Sequence, residues 1–261
     1  MAQRPSAEHA RLIRKLQTIA VVSLDEQAAL AELPLRLRAY PAGADLLRED
    51  QPSIECCLIL EGLACRYKVL GAGQRQILSL HLPGDVPDLM SLHLDVMDHG
   101  LAAIGRGRAA YIPHAAVREL CEHHPQLAAT LWRDTLIDAA VAREWLAGIG
   151  RRTAHERIAH LICEVHVRSE ALGLMDDGLF ELPMTQAELG DATGLSTVHV
   201  NRVLQDLRHA DLINWRGHSL LVLDWARLRL TADFDPGYLH LLPDVGVPAP
   251  VAARSRTSLA D

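Results

Sequence analysis

Residues 184–213 read "MTQAELGDATGLSTVHVNRVLQDLRHADLI", and this stretch decides how the rest of the chain is interpreted. Thr185 and Glu188 have the spacing of a capping box, so a short helix is predicted to begin there. Gly194 lies where a tight turn is needed, and Ser196 is a typical N-cap for a following helix. The segment therefore predicts two short helices joined through a glycine-containing turn.

The second of these helices has two different faces. One face is an apolar stripe at helical spacing and consists of Val200, Val203, Leu204 and Leu207. The opposite face points outward and consists of Val198, Arg202, Gln205 and His209, with Asn201 on its flank. A mixed polar and apolar outward face near a helix N-terminus is typical of the recognition helix of a helix-turn-helix, which enters a major groove.

The residues around this motif support the same interpretation. Gly190 is a small residue in the middle of the first helix, which permits the second helix to approach closely. The segment "LINWRGHSLLVL", residues 212–223, alternates and turns near Gly217, which predicts a two-stranded wing. Between Ser196 and Arg229 five arginines outnumber three aspartates, so this region carries a local charge of +2 on a chain of net charge −7. A local positive field favours a focused contact with DNA.

Arg202 has two interpretations. It can pair with Asp206 one helical turn later, which is common on solvated faces, or its guanidinium can contact guanine O6 and N7. Within a helix-turn-helix we favour the guanine contact, and the exposed Val198 would then meet a thymine methyl group. The residues predicted to contact DNA are Thr185, Gln186, Ser196, Thr197, Val198, His199, Asn201, Arg202, Gln205 and Arg216.

The first half of the chain has a different rhythm. Residues 7–33 are predicted to be mainly helical, whereas residues 35–113 alternate in short runs separated by "PAG", "GAG" and "PGD". Such closely spaced turn signals predict antiparallel strands in a sandwich, barrel or roll. The glycines of "LGAGQRQ", residues 70–76, suit a hairpin, and Pro83 followed by Gly84 suits a type II turn.

A long helix is predicted from Gln126 to Leu146, opened by Pro125 and ended by Gly148 and Gly150. Its apolar residues cover more than one face, which favours packing against a second copy of the chain across a two-fold axis. A core helix that touches two layers of one protomer is the alternative. The predicted dimer-interface residues are Leu127, Leu131, Ile137, Val141 and Trp145.

The predicted fold class is α+β, in four parts. Residues 1–115 form an N-terminal helical segment and a sensor-like β-roll, and residues 116–150 form the dimerisation helix and hinge. Residues 151–232 form the winged helix-turn-helix, opened by a capping box at "TAHE", residues 153–156. The Pro- and Ala-rich residues 233–261 are expected to be a mobile tail.

Composition limits the classes of function. A chain of 261 residues that is 49% hydrophobic can bury two cores. Its five cysteines include no CxxC pair, which predicts neither a disulfide framework nor a zinc ribbon and fits a reducing cytoplasm. The apolar run at residues 19–24 is too short to span a membrane. No nucleophile elbow, Walker loop or HExxH motif occurs, so neither an enzyme nor a cofactor is predicted.

Taken in order, these segments resemble the Crp/Fnr family of transcription regulators, to about residue 230. The matching segments are "LILEGLACRYKVL", "LPGD", the helix after "HHPQL", "ERIAHLICEV" and the stretch quoted first. The resemblance implies a cyclic-nucleotide-binding-like jelly roll, a dimer helix and a C-terminal winged helix-turn-helix. It also implies a homodimer that binds double-stranded DNA at near-palindromic promoter sites and contacts RNA polymerase.

The chain departs from the family pattern in three places. Members that read a G·C pair with a glutamate place it where this chain has Val198, although the arginine is kept as Arg202, so we expect a different half-site at that position. No arginine occurs between Asp85 and Leu101 to balance a phosphate, which argues against cyclic AMP and leaves the effector unassigned. The first cysteine is Cys56, which disfavours the N-terminal iron–sulfur cluster of the oxygen-sensing branch.

Two other classes of function stay open from the sequence. One is a sensor or adaptor whose winged helix binds protein rather than DNA. The other is a metal-binding β-barrel enzyme, although the histidine spacing of cupins does not occur. The histidines and the cysteine that raise this possibility are His81, His93, His99 and His114 in the roll, and His160, Cys163 and His166 on one helix.

Overall fold

The structure, a computed structural model, describes residues 5–243. Its helices are α1 (Ala7–Gln17), α2 (Leu24–Ala31), α3 (His114–His123), α4 (Pro125–Arg151), α5 (Ala154–Leu172), α6 (Gln186–Thr193), α7 (Thr197–His209) and α8 (Trp225–Thr231). Its strands are β1 (Arg36–Tyr40), β2 (Asp45–Leu47), β3 (Glu55–Val69), β4 (Arg75–His81), β5 (Gly100–Pro113), β6 (Leu179–Glu181), β7 (Ile213–Arg216) and β8 (Ser219–Val222). Short 3-10 helices occur at Leu89–Leu92 and Pro236–Leu239.

The first five strands form the antiparallel roll that the sequence predicts. The strand order is β1-β5-β3-β4, with β2 also paired to β5. Gly73, at φ +79, turns the chain between β3 and β4. After β4, Gly84 has φ +105, and the Asp85 N–H donates to the Leu82 carbonyl at 3.0 Å, as a type II turn requires. Both predicted turns are confirmed.

Helix α4 continues further than predicted, because neither Gly148 nor Gly150 ends it. A glycine in a helix costs about 1 kcal/mol relative to alanine, which tertiary packing can offset. Gly148 is buried, and a side chain added there would contact the Arg152 guanidinium. The helix ends where Arg152 becomes extended (φ −77°, ψ 147°), and the Thr153 capping box then starts α5. Two extended residues, Arg152 and Thr153, therefore separate the two helices.

The five residues predicted at the dimer interface do not lie on the exposed face of α4. Leu127, Leu131, Ile137, Val141 and Trp145 are all buried within their own chain. Leu127 and Leu131 pack in one apolar cluster with α1 and the roll, and Val141 and Trp145 pack in another with α5. The prediction is corrected for a physical reason: elements distant in sequence cover that face of α4, so it is not available to a partner. The large apolar side chains that α4 does expose are Trp132, Leu136, Leu146 and Ile149.

The first part of the expected mobile tail is packed. Phe234 and Leu239 are buried, and the Leu242 N–H donates to the Thr18 carbonyl at 2.9 Å. The Tyr238 hydroxyl donates to the buried Glu164 carboxylate at 2.8 Å. The apolar and aromatic residues of this segment supply that packing, which corrects the expectation for residues 233–243. The remainder of the predicted tail, residues 244–261, lies outside the described residues.

A buried cluster of charges joins the roll to the helices. The Arg168 guanidinium of α5 contacts Asp85 at 2.7 Å and Glu164 at 3.2 Å, and also donates to the Leu80 carbonyl. Lys15 of α1 contacts Asp85 at 3.0 Å and Asp134 of α4 at 3.2 Å. Burial alone would raise the pKa of the Asp85 carboxyl, but the Lys15 and Arg168 cations outweigh burial and hold that pKa below its ordinary value.

Replacing Arg168 tests how strongly this cluster holds the fold. Arg168→Met removes the cation beside Glu164 and leaves Asp85 with Lys15 alone, so we expect the free energy of unfolding to fall by about 3–5 kcal/mol in chemical denaturation. The matched control is Arg48→Met, because Arg48 is 68% exposed and pairs with Asp45 at 3.3 Å on the surface. That change should cost less than about 1 kcal/mol. If Arg168→Met and Arg48→Met both lowered the free energy of unfolding by the same small amount, the charge cluster would not stabilise the fold as described.

Candidate nucleic-acid interface

Helices α6 and α7 form the predicted helix-turn-helix. The capping box at Thr185 and Glu188 is present, and Gly194 ends α6 at φ +68°. Gly190 is packed so closely that an added Cβ would lie 2.5 Å from the Leu195 carbonyl oxygen. A side chain at this position would push the two helices apart, so the glycine permits their close packing.

Helix α7 exposes the face that the sequence assigns to DNA. Its start is fixed by the Ser196 hydroxyl, which accepts a hydrogen bond from the His199 N–H at 3.3 Å. The apolar stripe is buried and consists of Val200, Val203, Leu204 and Leu207. Val198 on the other side is 72% exposed. Burying the stripe therefore fixes which side chains of α7 face solvent.

The ten residues predicted to contact DNA are all at least partly exposed, and they occupy three places. Thr185 and Gln186 lie at the start of α6, and Arg216 lies at the end of β7. The others lie at the start or on the outer face of α7 and are Ser196, Thr197, Val198, His199, Asn201, Arg202 and Gln205. The structure brings Gln186 and Asn201 together, because the Asn201 amide donates to the Gln186 side-chain oxygen at 3.3 Å.

Arg202 does not pair with Asp206, the intrahelical partner considered from the sequence. Asp206 instead contacts the His155 imidazole at 2.9 Å. Among residues 5–243, Arg202 forms no ion pair, and its side chain is exposed. An unengaged guanidinium on the outer face can form the two parallel hydrogen bonds that guanine O6 and N7 accept.

The predicted wing lies beside α7. Strands β7 and β8 form a hairpin whose turn contains Gly217 at φ +59°, and β6 completes a sheet of order β6-β8-β7. The side chain of Trp215, in β7, is buried, and its carbonyl accepts a hydrogen bond from the Arg208 guanidinium at 3.1 Å. This contact attaches the wing to the last turn of α7.

In the roll, the segment that follows β4 is filled by contacts within the protein. Arg66 donates to the Pro87 carbonyl and contacts Asp138 of α4 at 2.6 Å. Asp88 accepts a hydrogen bond from the Cys57 N–H at 2.8 Å, and burial raises the pKa of its carboxyl to about 6. Asp85, next to this segment, already binds the Lys15 and Arg168 cations. These side chains satisfy one another without an added phosphate.

The histidines that suggested a metal site have other neighbours. His160 stacks on Tyr238, and His166 stacks on Trp225, at centroid distances of 5.8 and 4.8 Å. Across residues 5–243, no group of three or more His, Cys, Asp or Glu side chains is arranged to hold a metal ion. In the same range, no helix is both long and apolar enough to cross a membrane.

Two family models match two separate regions of the chain. Residues 156–231 match the Crp-like helix-turn-helix domain, and residues 37–124 match the cyclic nucleotide-binding domain. These are the regions that contain α5 to α8 and the roll. The chain belongs to the Crp/Fnr family of transcription regulators, which act through a helix-turn-helix DNA-binding domain and are not enzymes.

Relatives in sequence and structure agree with this assignment. The transcriptional activator protein anr of Pseudomonas aeruginosa is 26% identical over 203 residues, which cover 78% of this chain and 83% of that protein. The nitrogen fixation regulation protein FixK of Bradyrhizobium diazoefficiens is 28% identical over 221 residues, which cover 83% and 91%. The structure of FixK2 from Bradyrhizobium japonicum superposes with a TM-score of 0.69 at 26% identity and covers 76% of this chain and 98% of that one.

Sequence reasoning missed two contacts between this motif and the rest of the protein. Arg157 of α5 donates to the Thr193 carbonyl at 2.8 Å, and Arg75 of β4 contacts Asp191 of α6 at 2.8 Å. The latter pair is separated by more than a hundred positions in the chain, and no local pattern marks it. Arg157 carried one weak signal, its place in the first turn of the helix that the Thr153 capping box starts.

Gly190→Ala tests the close packing of α6 and α7. The added methyl group would meet the Leu195 carbonyl, so we expect a lower melting temperature and weaker DNA binding. The matched control is Gly71→Ala in the β3–β4 hairpin, where an added Cβ has no neighbour within 4 Å. Wild-type melting and DNA binding in Gly190→Ala would contradict the described packing.

Proposed function

We propose that this regulator acts as a homodimer and binds near-palindromic DNA with the outer face of α7 in the major groove. The observation that carries the proposal is the exposed Arg202, which forms no ion pair with any residue from 5 to 243 and lies beside Val198 on a helix whose opposite face is buried. A helix of this kind presents its N-terminal side chains to base edges. Two-fold symmetry of the protein would be matched by two inverted half-sites.

Each predicted contact has a chemical role in this proposal. The Arg202 guanidinium reads guanine, and the Val198 methyl groups contact a thymine methyl. Ser196 and Thr197 lie at the N-terminus of α7, where N–H groups and hydroxyls bind phosphate. Thr185 and Gln186 do the same at the start of α6, and Arg216 reaches the backbone from the wing. His199, Asn201 and Gln205 supply the remaining polar contacts.

The dimer seam we propose is the exposed face of α4. Along this face, side chains recur at alternating spacings of four and three residues, the pattern of a coiled-coil seam. The residues in this pattern are Trp132, Leu136, Ala139, Arg143, Leu146 and Gly150, all exposed in the protomer. Trp132, Leu136 and Leu146 are 64%, 52% and 71% exposed and lie in this one row, and exposed apolar side chains grouped on one face mark an interaction surface. This seam replaces the buried residues first assigned to the interface.

Two further observations bear on the effector and on the partners of this regulator. Cyclic AMP is not expected as the effector, because the cations near the segment after β4 already bind Asp85 and Asp138. The names of several relatives describe transcriptional activators, which supports a contact with RNA polymerase. A regulator that binds promoter DNA would act in the cytoplasm of a bacterium.

Arg202→Ala tests base recognition directly. Loss of a bidentate guanine contact should cost about 1–3 kcal/mol per half-site and relax the preference at that base pair. Binding should keep its steep salt dependence, because the phosphate contacts are unchanged. Fluorescence anisotropy with specific and scrambled duplexes at several salt concentrations measures both effects.

The control for Arg202 is Arg38→Ala, which removes an exposed arginine of β1 in the roll. We expect it to bind both duplexes as the wild type does. Unchanged sequence preference in a correctly folded Arg202→Ala protein would count against DNA reading by this face. Wild-type protein without any salt-dependent duplex binding would favour the adaptor alternative.

A charge placed in the seam tests the dimer. Leu146→Asp should convert the protein to a monomer in sedimentation equilibrium, because two facing carboxylates would be desolvated in the interface. The matched control is Leu230→Asp on α8, where the side chain is 81% exposed and lies outside the seam. A Leu146→Asp protein that sediments as a dimer would exclude this seam.

Calorimetry tests the expectation about the effector. Titration of the wild-type protein with cyclic AMP should give no binding heat in the micromolar range, because a phosphate would find no free cation in this segment. The variant Asp85→Asn frees part of the positive charge of Lys15 and Arg168 and serves as the comparison. Micromolar binding by the wild type would overturn the expectation.

A further inference from the structure

Two polar links reach the helix-turn-helix, one from the roll and one from α5. On one side, Arg75 Nε of β4 lies 2.8 Å from Asp191 Oδ2 of α6, so the roll is attached to the first helix of the motif. On the other side, the Arg157 guanidinium donates to the Thr193 carbonyl at 2.8 Å, at the end of α6. Both links end within three residues of Gly194, where the chain turns into α7.

The second link continues to the proposed dimer helix. Arg157 Nε donates to the Arg152 carbonyl at 2.9 Å, and the Arg152 guanidinium contacts Glu144 of α4 at 2.5 Å. Arg152 is also the first of the two extended residues between α4 and α5, and Thr153 is the second. A short path of hydrogen bonds therefore runs from α4 to the turn of the motif.

These contacts add orientation rather than much stability. The side chains of Arg75 and Asp191 are each 30% exposed, and ion pairs in contact with water contribute little to folding. The core of the helix-turn-helix, which includes Leu189, Val200 and Leu204, is continuous with apolar residues of α5 and β4, and neither Arg75, Asp191 nor Arg157 belongs to it. Breaking a link should leave the motif folded but freer to rotate relative to α4 and the roll.

Orientation matters because a dimer reads two half-sites at once. The distance and angle between two recognition helices must match the separation of the half-sites along and around the duplex, where one turn spans about 10–10.5 base pairs. In each protomer, that distance and angle depend on how the start of α7 is held relative to the proposed seam on α4.

We propose that Arg157 and the Arg75–Asp191 pair are positioning residues that set the half-site spacing this regulator accepts. They act through α6 and its turn rather than by touching DNA. The proposal rests on the proposed dimeric DNA-binding function.

The test uses the full chain and duplexes that carry two copies of its selected half-site, with the spacing lengthened or shortened by one or two base pairs. Wild-type protein should prefer one spacing sharply. In Arg75→Gln, Asp191→Asn and Arg157→Met, the preference for that spacing over its neighbours should fall roughly fivefold, the size expected for loss of a weak link in each protomer. Affinity for a duplex with a single half-site should stay as in the wild type.

Rescue separates positioning from a general loss of structure. Exchanging the two charges, in the double variant Arg75→Asp with Asp191→Arg, should restore spacing preference, and Arg157→Lys should restore it in part because lysine can reach only one carbonyl. Arg48→Gln, which breaks a surface pair inside the roll, should change nothing. Thermal melting confirms that each variant is folded.

The contradicting outcomes are distinct. A sharp wild-type preference that all three link variants keep would overturn the positioning role alone. Equal loss of affinity at every spacing and at the single half-site would also overturn it, because that result indicates damage to the motif. A wild-type protein with no spacing preference would overturn the dimeric function and this proposal with it.

Discussion

The contact between Arg168 and Asp85 is the constraint on which the rest of the structure depends. Asp85 follows the glycine turn of the roll, Arg168 lies in α5, and their 2.7 Å contact is buried together with Lys15 of the N-terminal helix. A buried charge cannot be left without a partner at reasonable cost, so this contact fixes α5 on the roll. The helix-turn-helix packs on α5, and its position therefore follows.

The local parts of the fold were predictable from the sequence. The capping boxes at Thr153 and Thr185, the cap at Ser196 and the close packing at Gly190 depend on neighbouring residues, and all are present. The orientation of α7 was equally accessible, because helical periodicity separates its buried stripe from its exposed face. The glycines of α4 were misleading, since Gly148 lies inside the helix rather than at its end.

Long-range packing was not predictable from the same patterns. Periodicity showed that α4 has two apolar faces, but only the fold shows that Val141 and Trp145 pack within the protomer while Leu136 and Leu146 remain exposed. The tail was interpreted from its prolines, whereas Phe234 and Leu239 pack into the core. In both places, burial depends on contacts between residues far apart in the chain, and neither periodicity nor composition identifies those contact partners.

Whether a dimer of this protein reads DNA through two copies of α7 can be measured by selecting bound fragments from random duplex DNA with the whole chain. We expect enrichment of two inverted copies of one half-site at a fixed separation, because a two-fold dimer presents two copies of α7 to successive major grooves. Recovery of no common sequence, or of a common sequence without two-fold symmetry, would contradict it.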